Sequence, residues 1–206
     1  MEVARMKNSA LLPIVLLSTY SLDNIEAQQC RPSGPIWGRK PPPNQYNQEN
    51  DSDCCKDGKH YTTYKCSPQV SSHTEAFLTL NSFEAGGDGG GPSECDEQYH
   101  SDDTPVVALS TGYLIIPKHI SLSTALRRME MAERGGCFNK ITISGNGRKV
   151  KAMVVDECDS MRGFDEAHDF QPPCDNNIVD ASKAVWVALG VPRDDWGGLD
   201  ITWSDA

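Results

Sequence analysis

The sequence predicts a mainly β domain with at least one packed helix and several disulfide bonds. Seventeen glycines and thirteen prolines among 206 residues indicate many turns. A hydrophobic fraction of 38% is typical of a polar globular protein. Several apolar segments have the length of strands, and one segment near the C-terminus has clear helical spacing. A loop-rich β fold therefore fits the chain better than a helical bundle.

The first 27 residues have the layout of a secretory signal peptide. Arg5 and Lys7 precede an apolar run over residues 10–17, and a polar stretch then ends at Ala27. The run is too short for a membrane-spanning helix of about 20 residues, and no later run is longer. We expect cleavage after Ala27, secretion and no membrane partner. The alternative is an amphipathic N-terminal helix of a cytosolic protein.

Eight cysteines all follow the expected cleavage point, which is typical of a protein that folds in an oxidising compartment. A structural zinc site would need two close pairs of ligands, and the spacing offers no such quartet. We therefore predict disulfides, no metal and no other cofactor. Eight cysteines allow 105 pairings, so the connectivity stays open. The cysteines are Cys30, Cys54, Cys55, Cys66, Cys95, Cys137, Cys158 and Cys174.

Residues 28–69 form a predicted Cys-rich N-terminal module. The segment is poor in apolar residues, contains three consecutive prolines at 41–43 and holds four of the eight cysteines. Such a segment cannot build a core of its own and must be held by disulfides. Asn50 begins an Asn-x-Ser sequon in this polar stretch and is a candidate glycosylation site.

The strands of the predicted β domain begin at about residue 74. There Ala76, Leu78 and Leu80 alternate with their neighbours, as in a strand. The glycine-rich run at 86–94 follows as a loop, and it lacks the Lys-Ser/Thr of a phosphate-binding loop. The turn Gly145-Asn146-Gly147 joins two further strands as a hairpin. Later strands are expected at 106–110, 141–144, 150–156 and 199–203.

A helix is predicted shortly after Asp180. Val185 and Leu189 lie at helical spacing, and Gly190 ends the run. Asp180 stands where an N-cap would accept hydrogen bonds from the amides of the first turn. The segment from Leu122 to Arg134 also has an amphipathic helical pattern.

The charge of the chain disfavours polyanionic partners. The formal charge is −10, or −9 without residues 1–27, and no basic run offsets it. Nucleic acids and acidic polysaccharides would be repelled by the average field, so we expect no nucleic-acid partner. A basic protein partner could be steered toward such a surface.

Six blocks of sequence stand out after the expected cleavage point. They are CRPSG at 30–34, NQENDSDCCKDGKHYTTYKCSP at 47–68, GGDGGGPSECDEQYHSDDTPVVALSTG at 86–112, VVDECDS at 154–160, HDFQPPCDNNIVDASKAVW at 168–186 and DITWSDA at 200–206. Taken in this order, the blocks closely resemble the kiwellin and ripening-related proteins of plants. The resemblance covers nearly all of the chain after the expected cleavage point.

This resemblance implies a fold and a role. Residues 70–206 are expected to form a six-stranded double-psi β-barrel, as in barwin, the N-terminal domain of expansins and some small endoglucanases. The family implies a defence or ripening-associated protein of the apoplast. Members of the family bind and inhibit a secreted fungal chorismate mutase, so a secreted pathogen protein is the expected class of partner.

The chain departs from the family pattern at three places. Tyr46 and Phe164 stand where the family usually has cysteines. If those two cysteines pair with different partners, two thiols here are left single; if they pair with each other, one bridge is absent. The third departure is the stretch at about 113–134, which is longer than the family's loop. It is either a lineage-specific helix or retained intron sequence.

Asp156 and Asp180 are the candidate groove residues. Related barrels place an acidic residue at a position similar to each of them. A glycosidase needs two carboxyls roughly 5–10 Å apart across the scissile bond. The segment at 108–112, where the endoglucanases carry their second acid, holds none. We therefore predict no catalytic residues and no enzymatic activity.

The predicted function is binding. The leading hypothesis is that barrel loops fixed by disulfides recognise a foreign secreted protein. Aromatic side chains on the predicted loops could supply the contact area, or they could pack against disulfides instead. The alternatives are an expansin-like binder of cell-wall carbohydrate and a weak glycosidase. The aromatic candidates are Trp37, Tyr61, Tyr64, Tyr99 and Trp196.

Overall fold

The computed structural model describes residues 30–46, 56–113 and 136–206. Eight strands and one α-helix, α1, lie in these ranges. Predictions for the signal peptide, for Asn50, Cys54 and Cys55, and for the segment from Leu122 to Arg134 fall outside them. In chain order the elements are β1 (Gly34–Trp37), β2 (His60–Thr63), β3 (Thr74–Leu80), β4 (Val106–Ser110), β5 (Lys140–Gly145), β6 (Arg148–Cys158), β7 (Ile178–Ala181), α1 (Lys183–Leu189) and β8 (Leu199–Asp205).

Six strands close into a barrel in the order β3-β7-β4-β6-β5-β8. Two pairs are parallel, β3 with β7 and β4 with β6, and the remaining neighbours are antiparallel. This is the double-psi arrangement that the sequence resemblance predicts. Closure leaves the barrel without an edge strand.

The strand predictions are confirmed at β4, β5, β6 and β8, with ends that differ by a few residues at most. Asn146 and Gly147 form the two-residue loop between β5 and β6 with positive φ angles of 48° and 70°. Both angles positive is what a type I′ hairpin turn needs, and Asn-Gly supplies them at low cost. The hairpin is thus specified by local sequence.

The core of the barrel is a cluster of 19 buried residues contributed by the barrel strands, α1 and the adjoining loops. Trp186 of α1 is fully buried in it, and its indole Nε1–H donates to the Thr79 carbonyl at 3.3 Å. Every residue of β4 is buried because strands lie on both sides of it and side chains cover both faces. The helix therefore forms part of the core.

The prediction that Asp180 caps this helix is wrong. Residues 178–181 are the strand β7, which pairs with β3 in parallel register, and Asp180 is opposite Thr79. Ser182 occupies the N-cap position, without a side-chain cap hydrogen bond. The chain stays extended through Asp180 because a strand partner is present there. The predicted end of the helix is confirmed, since Gly190 adopts a left-handed φ of 66°.

Strands β1 and β2 form a separate two-stranded hairpin next to the barrel. The sequence analysis assigned no strands here. The Tyr64 amide donates to the Ser160 carbonyl at 2.8 Å, which joins the root of the hairpin to the end of β6. Gly112, just after β4, lies so close to the backbone of Cys66 and Ser67 that no Cβ fits there.

All six described cysteines form disulfides. Cys30–Cys66 closes the root of the hairpin, Cys95–Cys137 joins two loops at the barrel, and Cys158–Cys174 closes the segment between β6 and β7. Their Cα–Cα distances of 5.5, 5.7 and 5.8 Å are usual for disulfides. The predicted disulfide staple of the N-terminal module is confirmed at Cys30–Cys66.

Tyr46 and Phe164, the two positions without the family's cysteines, lie in one small hydrophobic cluster. Phe164 and Phe170 are its buried members, and Tyr46, Ile36 and Tyr61 pack against them. The Tyr61 and Phe164 rings meet edge to face with centroids 5.0 Å apart. This neighbourhood favours the alternative in which one family bridge is absent and an aromatic contact takes its place.

Candidate functional site

Two concave sites are each lined in part by residues 159–177, the segment between β6 and β7. We call the first the acidic cavity. It has a volume of about 60 Å³ and is lined by the ends of β4, β6 and β7 together with loop residues. Its lining residues are Asn81, Asp88, Gly89, Ala108, Asp156, Glu157, Cys158, Asp159, His168, Gln171, Pro172, Cys174 and Asp180. Both predicted groove residues, Asp156 and Asp180, are therefore in one cavity.

Asp156 projects from β6, and its carboxylate accepts hydrogen bonds from two backbone amides. The amides of Glu94 and Glu157 both donate to Oδ1 at 2.8 Å. Burial nevertheless raises the pKa of Asp156 to about 7, and the nearby charges of Glu94 and Asp180 push it in the same direction. Asp156 can therefore hold a proton near neutral pH.

Asp180 projects from β7, and Thr79 Oγ1 donates to its Oδ1 at 2.7 Å. Burial raises the pKa of Asp180 to about 7, against the opposing effect of that hydrogen bond, and the charge of Asp88 adds to the rise. Asp88 itself is buried and accepts a hydrogen bond from the Ser82 amide at 2.9 Å. The sequence analysis did not identify Asp88, whose glycine-rich loop shows no periodic pattern.

His168 lies on a 3₁₀ turn at Glu166–His168 and is held between two carboxylates. Its Nδ1 is 2.5 Å from Asp165 Oδ1, and its Nε2 is 3.7 Å from Asp159 Oδ2. The interaction with Asp159 raises the pKa of His168 to about 9, with Asp165 adding to the effect. Burial favours the neutral form of Asp159, but His168 and the Met161 amide outweigh it and lower the pKa of Asp159. No sequence pattern singled out this histidine.

The second concave site, which we call the hairpin groove, lies between the outer side of β1 and residues 161–165. It has a volume of about 470 Å³. Small-molecule ligands usually occupy pockets of roughly 300–1,000 Å³. Of these two sites, the hairpin groove is the one that falls in that range. It is lined by Pro35, Ile36, Trp37, Arg39, Met161, Arg162, Gly163, Phe164 and Asp165.

The aromatic candidates from the sequence divide into two groups. Trp37 is 59% exposed at the hairpin groove, and Tyr99 is 47% exposed on a loop of the barrel. Trp196 is half-buried, stacks near Trp186 and donates its Nε1–H to the Val191 carbonyl. Tyr61 and Tyr64 are half-buried in the hairpin module. Trp37 therefore offers the largest free apolar surface among these candidates.

Comparison with known proteins decides the family. A family model described as Kiwellin-1 matches residues 16–206. The chain belongs to the kiwellin family. Putative ripening-related protein 2 of Oryza sativa subsp. japonica is 45% identical over 202 residues, which cover 95% of this chain and 93% of that protein. The match includes the hairpin as well as the barrel, so both regions are family features.

Two further matches are of different kinds. Kiwellin of Actinidia chinensis var. chinensis is 52% identical over 149 residues, covering 72% of this chain and 62% of that protein. Among solved structures, the apo form of an expansin from Clavibacter michiganensis matches with a TM-score of 0.40 and 18% identity. That match covers 65% of this chain and 50% of the expansin chain.

The described residues contain neither a cluster of metal ligands nor a membrane-spanning helix. Over residues 30–46, 56–113 and 136–206, no three His, Cys, Asp or Glu side chains are grouped so that they could hold a metal ion. No helix in these ranges has both the length and the apolar character needed to cross a bilayer.

Proposed function

We propose that this family member is a secreted, non-catalytic protein of the apoplast that binds a foreign secreted protein. A pathogen effector of the fungal chorismate mutase class is the partner type that the family resemblance suggests. The observation that carries the proposal is a groove of about 470 Å³ whose two walls are each closed at the root by a disulfide.

The two walls are fixed before any partner arrives. Cys30–Cys66 closes the hairpin, and Cys158–Cys174 closes the segment that forms the other wall. The Phe164 ring of that segment contacts the Tyr61 ring of the hairpin. A binding surface that is already ordered loses less conformational entropy on association. At the same time Trp37 stays largely exposed. Rigid backbone combined with an exposed large aromatic side chain is typical of protein recognition sites.

The acidic cavity supports a catalytic function less well than the hairpin groove supports a binding function. Asp156 and Asp180 carry the raised pKa values expected of a general acid. However, each carboxylate is held by hydrogen bonds from the protein itself, and a volume of about 60 Å³ is far below the usual size of a ligand pocket. We interpret these carboxyls as buried polar groups of the barrel end.

The test is direct binding with purified proteins. The chain from residue 28 onward, folded with its disulfides, is immobilised and exposed to purified secreted fungal chorismate mutases and a panel of other secreted pathogen enzymes. We expect at least one to bind with a Kd of micromolar or tighter and to lose activity on binding. Reduction of the disulfides should abolish binding. Absence of binding across the panel would contradict the proposal.

A second candidate function, an expansin-like cell-wall binder, is favoured by the joint presence of Asp156 and Asp180 in one cavity. It predicts retention of the protein on insoluble cellulose or xylan, weakened by Asp180→Asn. A weak glycosidase would in addition release reducing sugars from these polymers. If retention is absent and no sugar is released, both carbohydrate functions are excluded.

A further inference from the structure

The hairpin groove has a chemical character that differs from the rest of the molecule. Its rim carries Arg39 and Arg162, both exposed, and Trp37 at 59% exposure. The one carboxylate among the lining residues, Asp165, faces His168 at 2.5 Å. The groove therefore combines a free apolar surface with two cationic side chains that no described ion pair neutralises.

This local charge is opposite to the charge of the whole chain. Residues 30–46 and 56–66 hold six Lys and Arg side chains against a single acid, Asp57. The connecting residues 47–55 add three acids, so residues 30–66 keep a net charge of +2 while the chain carries −10. The average field argues against an acidic partner, but within about 10 Å the local charges dominate at physiological salt. An acidic segment can therefore be attracted to this end of the molecule.

Trp37 is held in place by contacts with β2 and with the residue before that strand. It lies opposite His60 in the register of β1 and β2, and the two rings meet edge to face with centroids 3.5 Å apart. Directly after Trp37, the Gly38 amide donates to the Lys59 carbonyl, and Gly38 is buried. An aromatic side chain on a fixed backbone loses little entropy when it contacts a partner. Trp and Arg are also the side chains most enriched at binding hot spots.

The outer edge of β1 is poorly suited to pairing with an added strand. Among the described residues, strand β1 pairs with β2 alone, and it is four residues long. Pro35 lies in its middle and has no N–H to donate. Recognition at this groove must therefore rely on side chains rather than on backbone ladder hydrogen bonds.

We propose that the hairpin groove binds an acidic segment of a partner protein that presents an aromatic or large apolar side chain to Trp37. Arg39 and Arg162 pair with the carboxylates on either side of that residue. The inference rests on the proposed protein-binding function and assigns its contact surface and the chemistry of the partner.

The probe is a short peptide with the sequence EEFEE, blocked at both ends, titrated into the ¹⁵N-labelled protein. The chain has four tryptophans, so four indole N–H signals report on four sites. Trp186 and Trp203 are buried and Trp196 is bonded to the Val191 carbonyl, so these three serve as internal controls. We expect only the Trp37 signal and the side-chain signals of the groove arginines to shift.

Two control peptides separate charge from apolar contact. The peptide KKFKK reverses the charge and EEAEE removes the aromatic side chain. We expect each to bind at least about tenfold more weakly than EEFEE, which corresponds to roughly 1.4 kcal/mol. Equal shifts with all three peptides, or no shift of Trp37 at millimolar EEFEE, would overturn the inference. So would stronger binding of an oligogalacturonide at Trp37, because the occupant would then be an acidic glycan.

Charge-reversal variants complete the test. Arg39→Glu combined with Arg162→Glu should abolish the EEFEE shift of Trp37, whereas Lys149→Glu combined with Lys151→Glu on β6 should leave it unchanged. Equal loss in both double variants would mean that only the net charge matters and would overturn the assignment. If a partner from the binding panel still binds both Trp37→Ala and the arginine double variant, the hairpin groove is not the contact surface, while the proposed protein-binding function stands. Peptide binding without any panel partner refutes the proposed function alone.

Discussion

The barrel and the hairpin module are stabilised in different ways. Six strands close around a core of 19 buried residues, which includes Trp186, Trp203 and a run of aliphatic side chains. In its described residues the hairpin has two strands of four residues each, the Cys30–Cys66 disulfide and a cluster with two buried phenylalanines, Phe164 and Phe170. Two-stranded hairpins are marginal by themselves in water. The barrel is therefore stable through packing, and the hairpin through covalent and local contacts.

This difference bears on function. The barrel commits most of its apolar side chains to the core, although Phe77, Tyr99 and Val187 stay exposed on it. The hairpin buries little, so Trp37 and its neighbouring cations remain at the surface. The hairpin module packs Tyr46 and Tyr61 against the small cluster around Phe164 and leaves Trp37 exposed. The region with the smaller hydrophobic core, the hairpin, is therefore the region better suited to carry a binding surface.

The largest effect is expected for Trp186→Ala in the barrel core. The substitution leaves a cavity at a fully buried position and removes the hydrogen bond to Thr79. Large-to-small substitutions of this kind cost about 3–5 kcal/mol. Chemical denaturation should show the whole barrel unfolding at lower denaturant. The control Val187→Ala, on the exposed face of the same helix, should have almost no effect. Similar losses in both variants would contradict the assigned core.

Removal of the Cys30–Cys66 bridge should destabilise the hairpin and leave the barrel stable. In Cys30→Ser/Cys66→Ser the hairpin loses a cross-link worth about 2–4 kcal/mol. Amide hydrogen exchange should rise sharply at β1 and β2, while the barrel strands stay protected because their core is untouched. A parallel rise in exchange across the barrel would show that the two regions unfold as one unit and are not stabilised separately.

The acidic cavity should make the stability of the barrel depend on pH. Burial raises the pKa of Asp180 to about 7, so its contribution is present below its ordinary pKa near 4 and is lost as the pH rises through 7. The Tm should therefore be higher at pH 5 than at pH 8. Asp180→Asn should stabilise the protein by roughly 1–3 kcal/mol at pH 8 and have little effect at pH 4.

His168 acts in the same direction at higher pH. Its pKa of about 9 means that its contribution is present below about 6.5 and is lost as the pH rises through 9. The Asp180→Asn variant should keep this second loss, which separates the two groups in a plot of Tm against pH. The exposed Asp200→Asn is the control and should follow the parent protein throughout. A pH profile unchanged by Asp180→Asn would refute the burial of that carboxyl.

The smallest effect is expected when the missing family bridge is restored. Tyr46→Cys combined with Phe164→Cys should form a disulfide under oxidising conditions, because both positions lie in the same cluster. The new cross-link would offset the loss of the aromatic contact, so the stability of the hairpin should change little. Intact mass with and without reduction counts the bridges. Two alkylatable thiols in the double variant would mean that the family cysteines pair with other partners.

Features that depend on residues close together in the sequence were predicted from the sequence. Asn146 and Gly147 set the β5–β6 hairpin, and Gly190 set the end of α1, because each acts through its own backbone angles. Strand β7 was missed, since four residues with an aspartate in the middle, directly before a helix, show no strand period. Its pairing partners, β3 and β4, lie about a hundred and about seventy residues earlier in the chain, and no local pattern points to them.

The candidate site was predicted in part. Asp156 and Asp180 were identified through the family resemblance, and the structure brings them into one cavity. Asp88 and His168 were not identified, because a glycine-rich loop and a 3₁₀ turn carry them there. The hairpin groove was not predicted either, although Trp37 was among the aromatic candidates. Its second wall comes from residues more than a hundred positions later in the chain.

By itself the sequence determined the class of this protein: mainly β, rich in cysteine, acidic, and similar to kiwellins along nearly its whole length. These properties follow from composition, from short-range backbone preferences and from long ordered blocks. Only the tertiary structure decided that Asp180 is a strand residue rather than a helix cap, and that Tyr46 and Phe164 belong to one hydrophobic cluster. Hydrogen-bond partners and burial depend on segments far apart in sequence, so these features appear only once the barrel has closed.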